Sequence, residues 1–425
     1  MNILIIGKFP PIEGGVSRNN NILASMYSKL GHNVYALTNS GDYPDHTLLY
    51  GDFTPRGYMI YDISVSIKAT PQSDGSFTRL CSYATSIINK HSIDIIICSY
   101  LEPYGMVALL MSKLFKTPFI IIHAGSDIGR LCTYKSLKES YEQVFKNSTL
   151  IVTNEGRHRY FEGLNIPKNK LYPSFFPGID KMFFNEKPDA FSFDDFLVKY
   201  KKSSHYKSNK KFMKLPYGFN NDTYNIFMYG KLGICKGIYE SLECVKRINE
   251  KSYAINLYLM CHGDNREHLK LNSFIESNNL SRSVFILPFV QNYMIPSFIK
   301  KMNVVMFLEN NFDIKSHSPV IPSETILCGV PIIISEEIYE KQSFIKNKLE
   351  KNVSVYCVDK KNMSSSLEEL LNRLLIDNDG VKKIANMALI SATCIKTPND
   401  TMHYAERLLQ QALTNNLEYR NERHT

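Results

Sequence analysis

No apolar run in this 425-residue chain approaches the roughly 20 residues that a membrane-spanning helix needs. The longest, such as "IDIIIC" and "TPFIIIH", are the length of strands. Met1 leads directly into "NILII" and Gly7, without the basic, apolar and small-residue order of a secretory leader, so a cytoplasmic location is expected. The nine cysteines include no C-x-x-C pair, and no His or Cys group has zinc-site spacing. Scattered through apolar contexts, these thiols read as reduced core residues, and no metal site is expected. Neither G-x-G-x-x-G nor G-x-x-x-x-G-K-[ST] occurs, which disfavours a dinucleotide fingerprint and a P-loop triphosphatase.

Acid is also missing locally. The stretch 199–214, "KYKKSSHYKSNKKFMK", holds seven lysines and no carboxylate, and without it the net charge of +9 would fall to +2. The basicity is therefore one local feature rather than a general nucleic-acid-binding surface. Tyr200, Tyr206 and Phe212 interleave these lysines. Three readings stay open for this stretch: a disordered solvated loop, an anionic membrane surface as partner, and nucleic acid. Residues 315–323, before Glu324, lack acid as well.

What is present is a rhythm. Strand-like runs at 2–6, 34–38, 93–98, 118–122 and 149–153 alternate with helical patterns from about 17, and at 77–90, 105–116 and 133–147. The rhythm breaks between about 181 and 221, then restarts with "YNIFMY", a helix from Lys236, and the strands "AINLYLM", "VFILPF", "NVVMFL", "VPIIIS" and "VSVYCV". Repeated strand–helix–strand units imply parallel sheets covered on both faces, so the expected fold is α/β, with two tandem Rossmann-like, doubly wound domains. The expected divisions are 1–185, a basic insert or linker at 186–221, 222–397, and a C-terminal helix within 398–425 that can return to the first domain.

In open parallel sheets ligands bind beyond the carboxyl ends of the strands, so candidate residues lie just after strands. After the first strand, Gly14-Gly15 precede a helix and allow close approach to its free N–H groups, although paired glycines equally make a plain turn. After "TPFIIIH" the polar turn Gly125-Ser126-Asp127 follows His123, which reads as a site residue or as a hydrogen-bonded core histidine. After "YNIFMY", Lys231 and Lys236 flank a Gly233 turn and offer two ammonium groups to a diphosphate; the plain alternative is two solvated lysines. After "NVVMFL", Pro319 and Pro322 stiffen a loop in which Ser323 is placed to cap a helix at Glu324. That carboxylate either complements a helix start or accepts ribose hydroxyls.

Taken in order, "FPPIEGGVSR", "HAGSDI", "FFPGIDKMFF", "YGKLGICKGIYESLECV", "VFILPFV" and "SETILCGVPIIIS" resemble the retaining family 4 GT-B glycosyltransferases, or glycosyl transferases group 1. The resemblance covers nearly the whole chain. It implies a sugar donor of the UDP or GDP type on the second domain, an acceptor on the first, an active site in the interdomain cleft, and no further cofactor. Lys231 and Lys236 match the family's diphosphate-gripping residues, His123 a histidine near the transferred sugar, and Glu324 the glutamate that binds the donor ribose. Gly14 and Gly15 match the glycine loop, while Ser316, His317, Ser318 and Pro319 line the donor site. Ser316 stands where family members often carry a first glutamate, a departure that bears on the choice of donor sugar.

The implied reaction is transfer with retention to a glycan or lipid-linked acceptor in surface polysaccharide or glycolipid synthesis, at the inner face of the membrane if the lysines dock there. The leaving diphosphate is stabilised by fixed charges rather than by acid–base chemistry. The competing readings are an epimerase or hydrolase of the same architecture, and a non-catalytic protein that binds sugar nucleotides or nucleic acid.

Overall fold

The computed structural model describes residues 1–63, 75–180, 183, 191–251, 254–312 and 319–422. They form two units. Met1–Pro44, Asp52–Gly178 and Lys396–Thr425 make the first; Asp45–Gly51 and Ile179–Ile395 make the second.

The first unit is built on β1 (Asn2–Ile6), β2 (Asn33–Thr38), β3 (Met59–Asp62), β4 (Ile95–Ser99), β5 (Phe119–Ile122), β6 (Leu150–Thr153) and β7 (Leu171–Pro173). All seven run parallel in the order β3-β2-β1-β4-β5-β6-β7. Because side chains alternate along a strand, β1 feeds two cores. Leu4 and Ile6 join Ile96, Cys98, Ile121 and Ile151 on one face, under helix Ser76–His91. Ile3 and Ile5 join Ile95, Ile97, Ile120 and Leu150 on the other. Helix Gly15–Lys29 covers that second face through Leu23, Met26 and Tyr27. Beside it lies the C-terminal helix Pro398–Glu422, which inserts Ala405, Leu408, Leu409 and Ala412 into the same core. The start of this helix is seated tightly. Gly178 sits at φ +90, and a Cβ there would come within 2.5 Å of the Thr397 backbone, so only glycine fits.

The second unit is a six-stranded sheet of β8 (Tyr224–Lys231), β9 (Ile255–His262), β10 (Val284–Ile286), β11 (Val304–Phe307), β12 (Ile332–Ser335) and β13 (Tyr356–Val358). These strands are parallel too, in the order β10-β9-β8-β11-β12-β13. Ile226 and Met228 point into one core with Leu257 and Leu259, and Phe227 and Tyr229 point into the other with Tyr258 and Met260.

Two expectations need correction. The stretch 186–221 is neither a linker nor a disordered loop where it is described: Phe193–Lys202 and Ser204–Asn209 are helices of the second unit. Phe193, Phe196, Leu197 and Tyr200 recur at helical spacing and are buried against Phe227, Tyr258 and Phe298. Ser192 caps the first of these helices, its hydroxyl accepting from the Asp195 N–H at 3.1 Å, and Asp194 and Asp195 complement the first turn. The aromatics between the lysines therefore face inward: Tyr200 and Phe212 are core residues, whereas Lys199, Lys201, Lys202, Lys207, Lys210 and Lys211 are exposed.

The second correction concerns Asp45–Gly51, which lies in the first third of the chain but packs in the second unit. Tyr50 donates its N–H to the Phe289 carbonyl at 2.7 Å and accepts from the Gln291 N–H at 2.9 Å. Its ring rests 4.8 Å from that of Tyr200.

This packing predicts a clear contrast between inward and outward substitutions in the same helix. Phe196→Ala should destabilise the protein by about 3–5 kcal/mol, as truncating a buried aromatic does. Lys199→Ala and Lys202→Ala should stay within about 0.5 kcal/mol of the parent. Urea titrations of the three variants check this, and equal effects would show that the stretch is not packed as described.

Candidate functional site

A parallel sheet carries a crevice where its strand order reverses. In the second unit that point lies between β8 and β11. The loops leaving these two strands meet there. Gly237, at φ +71, opens helix Ile238–Glu250, and a Cβ on it would lie 2.4 Å from the Leu308 Cβ. The close approach of the two loops thus depends on a glycine. The Asn310 N–H closes the contact by donating to the Cys235 carbonyl at 2.9 Å.

The expected lysines occupy different surroundings. Lys231 ends β8 and is exposed. The Lys236 ammonium pairs with the carboxylate of Glu309, which is wholly buried, and lies 4.0 Å from the centroid of the Phe312 ring. Lys236 retains 15% of its side-chain exposure. The loop carrying Glu309 and Phe312 is itself clamped. Glu337 accepts from the N–H groups of Asn311 at 2.6 Å and Phe312 at 3.1 Å, and Lys341 donates to the Phe312 carbonyl at 2.8 Å.

Pro319 is buried, and its carbonyl accepts from the Gln342 side-chain amide. The helix after it runs Ile321–Leu327, so Ser323 lies within the helix and does not cap it at Glu324. Proline suits this earlier start, because its missing N–H is one that a first helical turn leaves unpaired anyway. Glu324 is 2% exposed, and its Oε2 accepts from the Tyr229 hydroxyl at 2.9 Å. Burial raises the Tyr229 phenol well above its ordinary range, so it remains a proton donor to the carboxylate. Ser316, His317 and Ser318 lie outside the described residues.

In the first unit the strand order reverses between β1 and β4. Gly14, at φ +125, precedes helix Gly15–Lys29, and a Cβ on either glycine would meet nothing within 4 Å. No acidic residue occupies the first turn of this helix. His123 follows β5. Its Nδ1 lies 3.1 Å from the Ala124 carbonyl and therefore donates; its Nε2, 2.8 Å from the Thr153 hydroxyl, accepts. Burial lowers its pKa to about 4, so the ring is neutral at neutral pH. Both nitrogens are thus engaged by the protein itself. Asp127 follows on the same turn, accepting from the Ala124 N–H at 2.8 Å, and burial raises its carboxyl to about 6.

Sequence reasoning passed over Glu309, Tyr229 and Phe312. The available signals were an acid directly after a strand and an aromatic on the strand face that a glutamate-bearing helix covers. It also overlooked the triplet Asp377-Asn378-Asp379, the only D-x-D in the chain. Asp377 there caps helix Asn378–Ser391, accepting from the Gly380 N–H at 2.9 Å.

Comparison with known proteins gives these sheets a context. The chain is similar in structure to Alr3699/HepE of Anabaena, solved in complex with UDP and glucose, with a TM-score of 0.62 at 14% identity over 96% of this chain and 99% of that one. It is similar to the sucrose-phosphate synthase of Thermosynechococcus elongatus, with a TM-score of 0.62 at 12% identity over 97% and 100%. The fold is GT-B. Among GT-B neighbours is also a UDP-GlcNAc 2-epimerase from Neisseria meningitidis, at a TM-score of 0.51 and 14% identity over 97% and 100%. Residues 209–389 match the family model described as Glycosyl transferases group 1. A search of curated protein sequences returns no match. The neighbours show the fold, and the family match lies within the second unit.

The second unit also carries a titration signature. His268 is 1% exposed, accepts from the Gly263 N–H at 3.3 Å, and faces His46, His262 and Asp264. Burial, reinforced by His46 and His262, lowers its pKa to about 4. An unfolded histidine binds its proton near pH 6.5, so the folded state loses ground as pH falls from 6.5 towards 4. Between pH 7 and pH 5 the wild type should lose about 2 kcal/mol more than His268→Gln. Urea midpoints at the two pH values check this, and equal losses would refute it.

Proposed function

We propose that this chain is a glycosyltransferase that moves a sugar from a nucleoside-diphosphate sugar to a glycan or lipid-linked acceptor with retention of anomeric configuration. The observation that carries the reading is the conjunction, in one unit, of the group 1 family match with Lys231 at the end of β8, Lys236 in the turn after it and Glu324 on the helix that follows β11. Lys231 and Lys236 take the diphosphate and stabilise the charge that develops on the leaving group. Glu324, oriented by Tyr229, accepts from the ribose hydroxyls. Pro319 borders the sugar. In the first unit, the open space at Gly14 and Gly15 is offered to the acceptor, and His123, neutral and fixed by its two hydrogen bonds, is the histidine that the resemblance assigns to the transferred sugar.

Thermal-shift screening with uridine, guanosine and adenosine diphosphates and their sugars tests the reading. One of them, at 100 times its dissociation constant, should stabilise the protein by about 2.7 kcal/mol. Lys236→Ala should lower turnover of that donor by at least roughly tenfold, the effect of losing one charge-assisted contact. Full turnover in the variant would overturn the scheme. Because an epimerase shares the fold, the donor should also be incubated alone; epimer formed without acceptor would replace the transferase reading.

The six exposed lysines between 199 and 211 add a partner to the proposal. No helix among the described residues is long and apolar enough to cross a membrane. The lysine face instead docks on an anionic bilayer, each lysine contributing about 1 kcal/mol near the surface. Sedimentation with vesicles should show binding to phosphatidylserine-containing membranes that weakens with salt and with charge reversal at Lys201, Lys202 and Lys207. Equal binding to neutral vesicles would sink it.

A further inference from the structure

The Lys236–Glu309 pair does more than the glycosyltransferase reading requires. A diphosphate needs cations, yet here a wholly buried carboxylate is set directly against the half-buried ammonium expected to grip it. The pairing is built into the fold. Gly237 lets the two loops touch, the Asn310 N–H to Cys235 carbonyl bond ties them, and Glu337 and Lys341 hold the segment that carries Glu309 and Phe312. The Phe312 ring, 4.0 Å from the ammonium, closes another side.

We propose that Glu309 is an internal counter-ion for Lys236, holding the ammonium at the β8–β11 crevice and competing with the nucleoside diphosphate for it. Glu309 is thus a positioning residue that acts through the lysine. It keeps a mobile side chain in place in the empty site. Its negative charge also opposes the bound diphosphate, and so favours release of the product. The cation is shared between two anions: as the phosphate arrives, the ammonium turns hydrogen bonds towards it while Glu309 stays fixed and buried. The inference rests on the transferase reading and adds to it a means of tuning donor and product affinity.

Calorimetric binding tests it, using whichever of UDP, GDP or ADP the wild type binds best. Glu309→Gln keeps the shape and removes the charge. It should tighten binding roughly fivefold, chiefly through slower release. In a Lys236→Met background the same substitution should change the dissociation constant by less than about twofold, since coupling through the lysine is then gone. Melting curves report folding. If Glu309→Gln does not fold, Glu309→Asp, which withdraws the carboxylate from the ammonium, should tighten binding in the same direction by roughly twofold.

Unchanged or weaker binding in the folded variants overturns the inference while leaving the transferase reading intact. Equal tightening in the Lys236→Met background shows direct repulsion instead and overturns it too. A wild type that binds none of the three diphosphates overturns both.

Discussion

Parallel pairing is the constraint on which the rest of the structure depends. Every strand in both sheets runs parallel to its neighbours. Parallel neighbours cannot be joined by a hairpin, so each connection must cross a face, and both faces become cores. That explains why Ile3 and Leu4, adjacent in sequence, belong to different clusters, and why the strands read as nearly unbroken apolar runs. It also brings the carboxyl ends of all strands in a sheet to one edge. The chain has little freedom over where chemistry is placed. Polar loops after strands collect on that edge, and reversal of strand order opens a crevice there.

The same constraint governs what was legible in the sequence. Runs such as "NILII" and "YNIFMY" identify themselves because strands buried on both faces must be apolar. β3 and β7 were not read, and neither has that character: β3 is largely half-exposed and β7 is three residues long. The helix Phe193–Lys202 carried a full apolar face, yet its lysines dominated the reading. Charge describes the outward face of a helix, and only spacing describes the inward one. The excursion of Asp45–Gly51 left no local trace, because a segment held by two backbone hydrogen bonds to residues 289 and 291 owes its position to partners remote in sequence.

At the candidate site, position was legible and partnership was not. Lys236 and Glu324 were found because they follow strands. That Glu324 accepts from Tyr229, and that Lys236 pairs with Glu309, depends on which strands are neighbours, and a pattern read along one chain does not contain that information. The cap assigned to Ser323 failed for a related reason. Proline at the second helical position starts the helix earlier, so the serine falls inside its first turn.

Burial of these two carboxylates imposes a further order on the edge of the second unit. An ionised carboxylate taken out of water needs donors, and here Tyr229 supplies one to Glu324 and Lys236 one to Glu309. Each donor is therefore committed before any ligand arrives. Lys231, by contrast, is exposed at the end of β8. On the glycosyltransferase reading, an incoming diphosphate meets Lys231 first as a solvated cation and Lys236 second as an exchange of one anion for another. On the same reading the Lys236 ammonium is already held in place when phosphate arrives, and the standing charge of Glu309 would limit how long the spent diphosphate stays. For an enzyme that must release its product on every cycle, affinity held in check in this way is an advantage, because binding the product as strongly as the site allows would slow turnover.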